Sequence, residues 1–110
     1  MVTDALAALA DPTRRQVFEL VALRPSPVGE LAERLPVSRP AVSQHLKVLR
    51  LAGLVQEQRV GTRHLYSLDR TGLEGVRDYF NSFWDSSLSA FKAALEHSAI
   101  SESTATREDP

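Results

Sequence analysis

The stretch that most constrains the fold is VGELAERLPVSRPAVSQHLKVLRLAGLV, Val28 to Val55, which carries the punctuation of two short helices with almost no chain between them. Ser38 is placed to cap the second helix with its hydroxyl. Pro40 suits the first turn, where backbone N–H groups lack partners anyway, and Gly53 sits where a left-handed residue would end the helix. The spacing predicts a helix from about Arg39 to Ala52. The helix before it, from Pro27 to about Leu35 with Ser26 as its cap, has Val28, Leu31, Ala32 and Leu35 at i, i+3, i+4, i+7 spacing, a core stripe. Pro36 and Val37 allow only a tight turn, so the two helices must cross steeply.

At about 100° per residue, Val42, Leu46 and Leu49 fall on one stripe of the second helix, with Arg39, Pro40, Ser43, Gln44, Lys47 and Arg50 over the opposite side. That face carries three positive charges and no negative one. A merely solvated face usually mixes signs, whereas Arg, Lys, Ser and Gln together offer phosphate donors and base-edge readers. The pair therefore reads as a helix-turn-helix whose second helix suits a major groove.

The net charge of −1 argues against a nucleic-acid partner until it is divided along the chain. Residues 36–70 carry six basic side chains against Glu57 and Asp69, a balance of +4, while residues 1–35 stand at −1 and residues 71–110 at −4. A basic middle between less basic ends is a footprint for a polyanion. At 110 residues the chain is read as one domain, 1–97, small enough that pairing with a second copy would help it. It has no cysteine, which removes disulfides, thiolate metal ligands and thiol switches, and no long apolar run or signal-peptide pattern, so a cytoplasmic protein without a membrane partner is expected.

In chain order, Thr3 is the expected cap of a first short helix with Ala5, Leu6, Ala8 and Leu9 on its apolar side. Asp11 and Pro12 restart the chain as cap and first residue of a second helix reaching about Leu23, with Val17, Leu20 and Val21 inward. Arg14 and Arg15 in its first turn are candidates for a phosphate, or for a local ion pair or solvated face. After Gly53, Leu54 to about Arg59 and Arg63 to Leu68 read as two strands around Val60-Gly61-Thr62, a β-hairpin whose Tyr66 and Leu68 side packs on the domain. Arg59 and Arg63 flank the hairpin tip, which suits a minor groove or its phosphates. The last helix, started by Asp69 or Thr71, runs from about Gly72 to His97. Leu73, Val76, Phe80, Phe83, Trp84, Leu88, Phe91 and Leu95 recur at steps of three and four. One small domain has little core left to hide so long a stripe, so the helix is assigned, with the first, to a homodimer interface; folding back over its own domain is the alternative. Residues 98–110, SAISESTATREDP, are small, polar and acidic, and are expected to form a disordered tail.

The fold class is thus mainly α with a small β-hairpin: about five helices plus a two-stranded wing, dimeric through the first and last helices. On LADPTRRQVFELV at 9–21, VGELAERLPVSRPAVSQHLKVLRLAGLV at 28–55 and GTRHLYSL at 61–68, the chain resembles the ArsR-type winged helix-turn-helix repressors of bacteria over residues 3 to about 97. The resemblance implies a homodimer that binds a two-fold symmetric operator in double-stranded DNA and blocks transcription, often of its own promoter. It places DNA contacts on Ser38, Arg39, Ser43, Gln44, His45 and Lys47 of the recognition helix and on Arg59, Thr62, Arg63 and His64 of the wing. The implied dimer residues are Leu6, Leu9, Phe80, Phe83, Trp84, Leu88, Phe91 and Leu95. His45 lies on the edge of the apolar stripe, so a structural imidazole is as compatible with its position as a phosphate contact.

Many members of that family sense metals through cysteines or a last-helix set of Asp, His and Glu. Here Asp85, Ser87, Ser98 and Ser101 fall at the last-helix places, with His97 one position off, so no metal and no cofactor is expected. No phosphate loop, nucleophile elbow or paired-histidine motif marks an enzyme. The remaining readings are a winged-helix module for protein contact, and a pocket at Tyr79, Phe80, Phe83 and Trp84 for an apolar effector whose identity the residues do not specify.

Overall fold

In the computed structural model the backbone is described for residues 2–108 and the side chains for residues 2–98. The elements follow as α1 (Val2–Ala10), α2 (Pro12–Leu23), α3 (Val28–Arg34), α4 (Arg39–Leu51), β1 (Val55–Val60), β2 (Arg63–Leu68) and α5 (Arg70–Glu108). They form two units, residues 1–77 and residues 78–110.

The first unit holds α1 to α4, the hairpin and the opening turns of α5. Local chemistry sets most of its boundaries. Asp11 caps α2 by accepting the Arg14 N–H at 2.9 Å, and Ser38 Oγ caps α4 by accepting the Ala41 N–H at 3.2 Å. At the far end of α4, Gly53 N–H donates to Arg50 O and Leu54 N–H to Leu49 O, both at 3.0 Å, a Schellman closure with Gly53 at φ +76°. The core that results is aliphatic. Val17 and Val21 of α2, Leu31 of α3, Val42, Leu46 and Leu49 of α4, and Leu54 and Val55 are fully or almost fully buried, with Ala5 and Ala8 of α1 packed beside them. Each large side chain of that set contributes on the order of 1.5–3 kcal/mol of transfer free energy.

The hairpin is antiparallel with Val60 opposite Arg63, which leaves Gly61 and Thr62 as a two-residue turn. Only Gly61 has positive φ, +64°, the pattern of a II′ turn, whose twist matches that of the strands. Tyr66 packs against the core as expected.

Ser26 departs from its expected role. It does not cap α3, where Pro27 holds the cap position without a side-chain bond. Instead Ser26 exchanges two backbone hydrogen bonds of 2.9 Å with Tyr66 and is buried, an isolated bridge that fastens the corner before α3 to the wing. A buried backbone pair satisfies groups that a cap would leave to solvent. The first helix also starts earlier than expected, with Thr3 inside it rather than capping it.

α5 begins at Arg70, where Asp69 Oδ1 accepts the Thr71 N–H at 2.9 Å. Its third residue, Gly72, lies against the turn after α4: Gly72 N–H donates to Gly53 O at 2.8 Å, and a Cβ on Gly72 would come within 2.4 Å of that oxygen. Only a residue without a side chain allows this approach. The second unit is the remainder of α5. Its helical backbone continues to Glu108, past the end expected near residue 97, because no Gly or Pro interrupts the chain between Ser98 and Asp109. The tail expected at 98–110 falls, apart from Ser98, where side chains lie outside the described residues.

Candidate nucleic-acid interface

α4 presents two chemically opposite sides. Val42, Leu46 and Leu49 are at zero exposure, while Arg39, Ser43, Gln44, Lys47 and Arg50 are all exposed. At 100° per residue those five side chains span an arc of about 140°. The arc contains no carboxylate, and among the described residues no ion pair involves Arg39, Lys47 or Arg50. Ser38 stands at the start of α4 with its oxygen used as cap acceptor and its hydroxyl proton still available to a phosphate. Arg39 lies back over α3: a Cβ on Gly29 would sit 3.4 Å from its Nη2, so the glycine leaves room for the guanidinium.

His45 does not join this group. It is half-buried on the side of α4 away from the polar arc, and its charge, like that of Arg14, acts on Asp11. The carboxyl of Asp11 is held below its usual range mainly by the Arg14 N–H, with desolvation opposing and the charges of Arg14 and His45 adding. Arg14 and Arg15 close the end of α1, donating from Nη1 to Ala8 O and Leu9 O at 3.3 Å each, a use of their charge that favours a helix C-terminus.

The wing separates its cations. Cross-strand register puts Arg59 opposite His64 and Glu57 opposite Tyr66 on one face, whereas Arg63 opposite Val60 emerges on the other. Arg59, Thr62, Arg63 and His64 are all exposed, and the two arginines straddle the ribbon rather than sharing a side. His64 is engaged, its Nδ1 facing Glu57 Oε1, and the Tyr66 hydroxyl lies 3.4 Å from Glu57 Oε2. Arg50 and Glu57 are absent from the contact set that the family resemblance implies, though Arg50 lies on the same helical stripe as Arg39 and Ser43. Glu57 becomes visible only through the pairing of the strands.

On α1, Leu6 and Leu9 are half-buried, and Leu9 packs against the core of its own unit. In the second unit Phe80, Phe83, Trp84, Leu88, Phe91 and Leu95 are between 48% and 65% exposed, although they share one helical arc of about 140°. Tyr79 meets Phe80 and Phe83 edge-on, at centroid distances of 5.7 and 4.9 Å. A shallow depression of about 420 Å³ lies among Phe80, Asn81, Phe83, Trp84 and Ser87. Among the described residues no group of His, Asp and Glu side chains gathers as a metal site, and no helix is long and apolar enough to cross a membrane.

Residues 11–57 match the family described as bacterial regulatory protein, arsR family. The chain is 51% identical over 92 residues to the HTH-type transcriptional regulator Rv2034 of Mycobacterium tuberculosis, covering 84% of this chain and 86% of that one. It is 30% identical over 82 residues to the transcriptional repressor SdpR of Bacillus subtilis, covering 74% and 91%. Among solved structures it resembles the homodimeric winged helix-turn-helix DNA-binding domain Mb0332 of Mycobacterium bovis, with a TM-score of 0.59, 28% identity and coverage of 78% and 77%.

Proposed function

Because the chain belongs to the arsR family of bacterial regulatory proteins, we propose that it is a sequence-specific DNA-binding repressor, working as a homodimer on a two-fold symmetric operator in the bacterial cytoplasm. The observation that carries this reading is the exposed arc of α4, cationic and free of carboxylates, followed directly by a wing with an arginine on each face. Ser38, Arg39 and Lys47 take backbone phosphates and set the register of α4 in the major groove. Ser43 and Gln44 read base edges there, and Arg59, Thr62 and Arg63 reach an adjacent minor groove or its phosphates. His45 is left out, since it is half-buried on the side of α4 away from the polar arc.

Two copies pair through α1 and the aromatic face of α5, which doubles the cationic surface about a two-fold axis. Half-sites then lie about one helical turn, roughly 10–10.5 bp, or a multiple apart. Repression follows from occupancy: a dimer on its operator excludes the transcription machinery from the same DNA. No metal, cofactor or enzymatic step enters this scheme.

The test is binding of genomic promoter fragments across a range of salt. Lys47→Ala combined with Arg63→Ala removes two contacts from each copy of the dimer and should weaken binding about 100-fold or more and lower the slope of log K against log salt by about four, since each phosphate contact releases counterions. Unchanged affinity and slope would place the DNA elsewhere. A protein partner that survives nuclease treatment and is indifferent to Lys47→Ala would favour a protein-contact module instead.

A further inference from the structure

At the base of the wing an exposed depression of about 500 Å³ is lined by Arg50 from the last turn of α4, Gln56, Glu57 and Arg59 from β1, His64 from β2, and Asp69 ahead of α5. Its permanent charges cancel, two guanidiniums against two carboxylates. Their partners do not match in the same way. Asp69 Oδ1 is occupied by the Thr71 N–H at 2.9 Å, and Glu57 faces His64 Nδ1 with one oxygen and the Tyr66 hydroxyl with the other. Among the described residues, neither Arg50 nor Arg59 is in an ion pair. Both carboxylates are spoken for inside the protein and both guanidiniums face outward, an arrangement that suits an anion.

The imidazole then decides the sign. With His64 neutral the depression has no net charge, and with His64 protonated it stands at +1. Burial, and after it Glu57, push the Tyr66 phenol above its ordinary range, so it stays neutral and adds nothing to this balance.

We propose that this depression seats one backbone phosphate of the operator, with Arg50 and Arg59 as its walls, and that His64, held in place by Glu57, makes the seat proton-dependent. The proposal rests on the DNA-binding reading above and adds to it Arg50 as a contact and Glu57 as a positioning residue. A phosphodiester carries one negative charge and two free oxygens, matched by two forked donors. Because Nδ1 is turned to Glu57, Nε2 on the far edge of the ring is the nitrogen that donates to the phosphate once the ring carries both protons. Phosphate binding and protonation of His64 therefore favour each other, and histidine is the side chain suited to such coupling near neutral pH.

The experiment is fluorescence anisotropy of an operator fragment at constant ionic strength between pH 6 and 8. Wild-type affinity should fall by about fivefold as pH rises over that interval, well within the limit set by two linked protons, one for each His64 of the dimer. His64→Gln should be flat and weak throughout. Glu57→Gln should bind more tightly than the wild type at pH 8, because the depression has lost a carboxylate that opposes the phosphate, and respond less to pH, because His64 has lost the partner that favours its charged form. Arg50→Ala, which removes one contact from each copy of the dimer, should lower the salt slope by about two. All three positions are exposed, so circular dichroism should show the variants folded. A pH dependence that persists in His64→Gln, a Glu57→Gln profile identical to wild type, or an Arg50→Ala salt slope unchanged overturns the seat while leaving the operator reading intact. Failure of the wild type to bind genomic DNA at low salt overturns both.

Discussion

α4 and the second unit's part of α5 are both amphipathic helices, yet they expose opposite sides. α4 buries Val42, Leu46 and Leu49 completely in its own unit and turns its cations outward. Residues 78–98 of α5 leave Phe83, Trp84 and Phe91 more than half exposed. The first helix is satisfied apart from a polyanion; the second lacks an apolar cover. A single copy of this chain thus leaves two different surfaces open, and in the proposed function they take different partners, DNA for one and a second copy for the other.

The sharpest way to break that contrast is to charge the apolar side of α5. Phe83→Glu with Phe91→Glu should convert the dimer to monomer in sedimentation, and operator affinity should fall by about 100-fold or more as two half-sites are no longer bound as one unit. A charged variant that stays dimeric would remove α5 from the interface. Next in size comes the contrast between two leucines. Leu46→Ala should cost about 2–5 kcal/mol in denaturant unfolding, whereas Leu88→Ala, at concentrations where the protein is monomeric, should cost less than about 1 kcal/mol, since no cavity forms at an exposed site. Comparable losses would mean that Leu88 is buried in its own chain.

The smallest effect concerns Asp11, the cap of α2, which the charge of His45 on the third side of α4 reaches. The carboxyl of Asp11 titrates below its ordinary value of 3.8 in the folded protein. A group whose folded pKa is depressed contributes stability that is present above the unfolded value and lost as pH falls through the folded one. Wild-type stability should therefore drop on acidification below about pH 4, and Asp11→Asn, which keeps a capping oxygen without the titration, should show a shallower drop in thermal unfolding monitored against pH.

Much of this was legible in the residues. Ser38 and Asp11 announced their caps, Gly53 announced the end of α4, and the spacing of Val42, Leu46 and Leu49 announced which side goes in. The exposed cationic face followed, since whatever lies opposite a buried stripe is exposed. Less legible were features that depend on two distant segments meeting. Ser26 looked like a cap and became a bridge to Tyr66, forty residues away in the chain. Arg14 and Arg15 were open to a phosphate, a local ion pair or solvent, and the hydrogen bonds they make to the last carbonyls of α1 were not among those readings. His64 was placed by the resemblance among the wing's DNA contacts, and only β-pairing shows that it meets Glu57.

The boundary between the two kinds of knowledge is one of range. Helix periodicity, caps and turn glycines are set within four or five residues, so the order of residues alone was enough for five helices, a wing and a segregated positive charge. Which way each wing cation points, what holds His64, and how closely Gly72 approaches Gly53 depend on register and packing between segments. There a shift of one residue turns a side chain to the opposite face, and no local signal records which register wins.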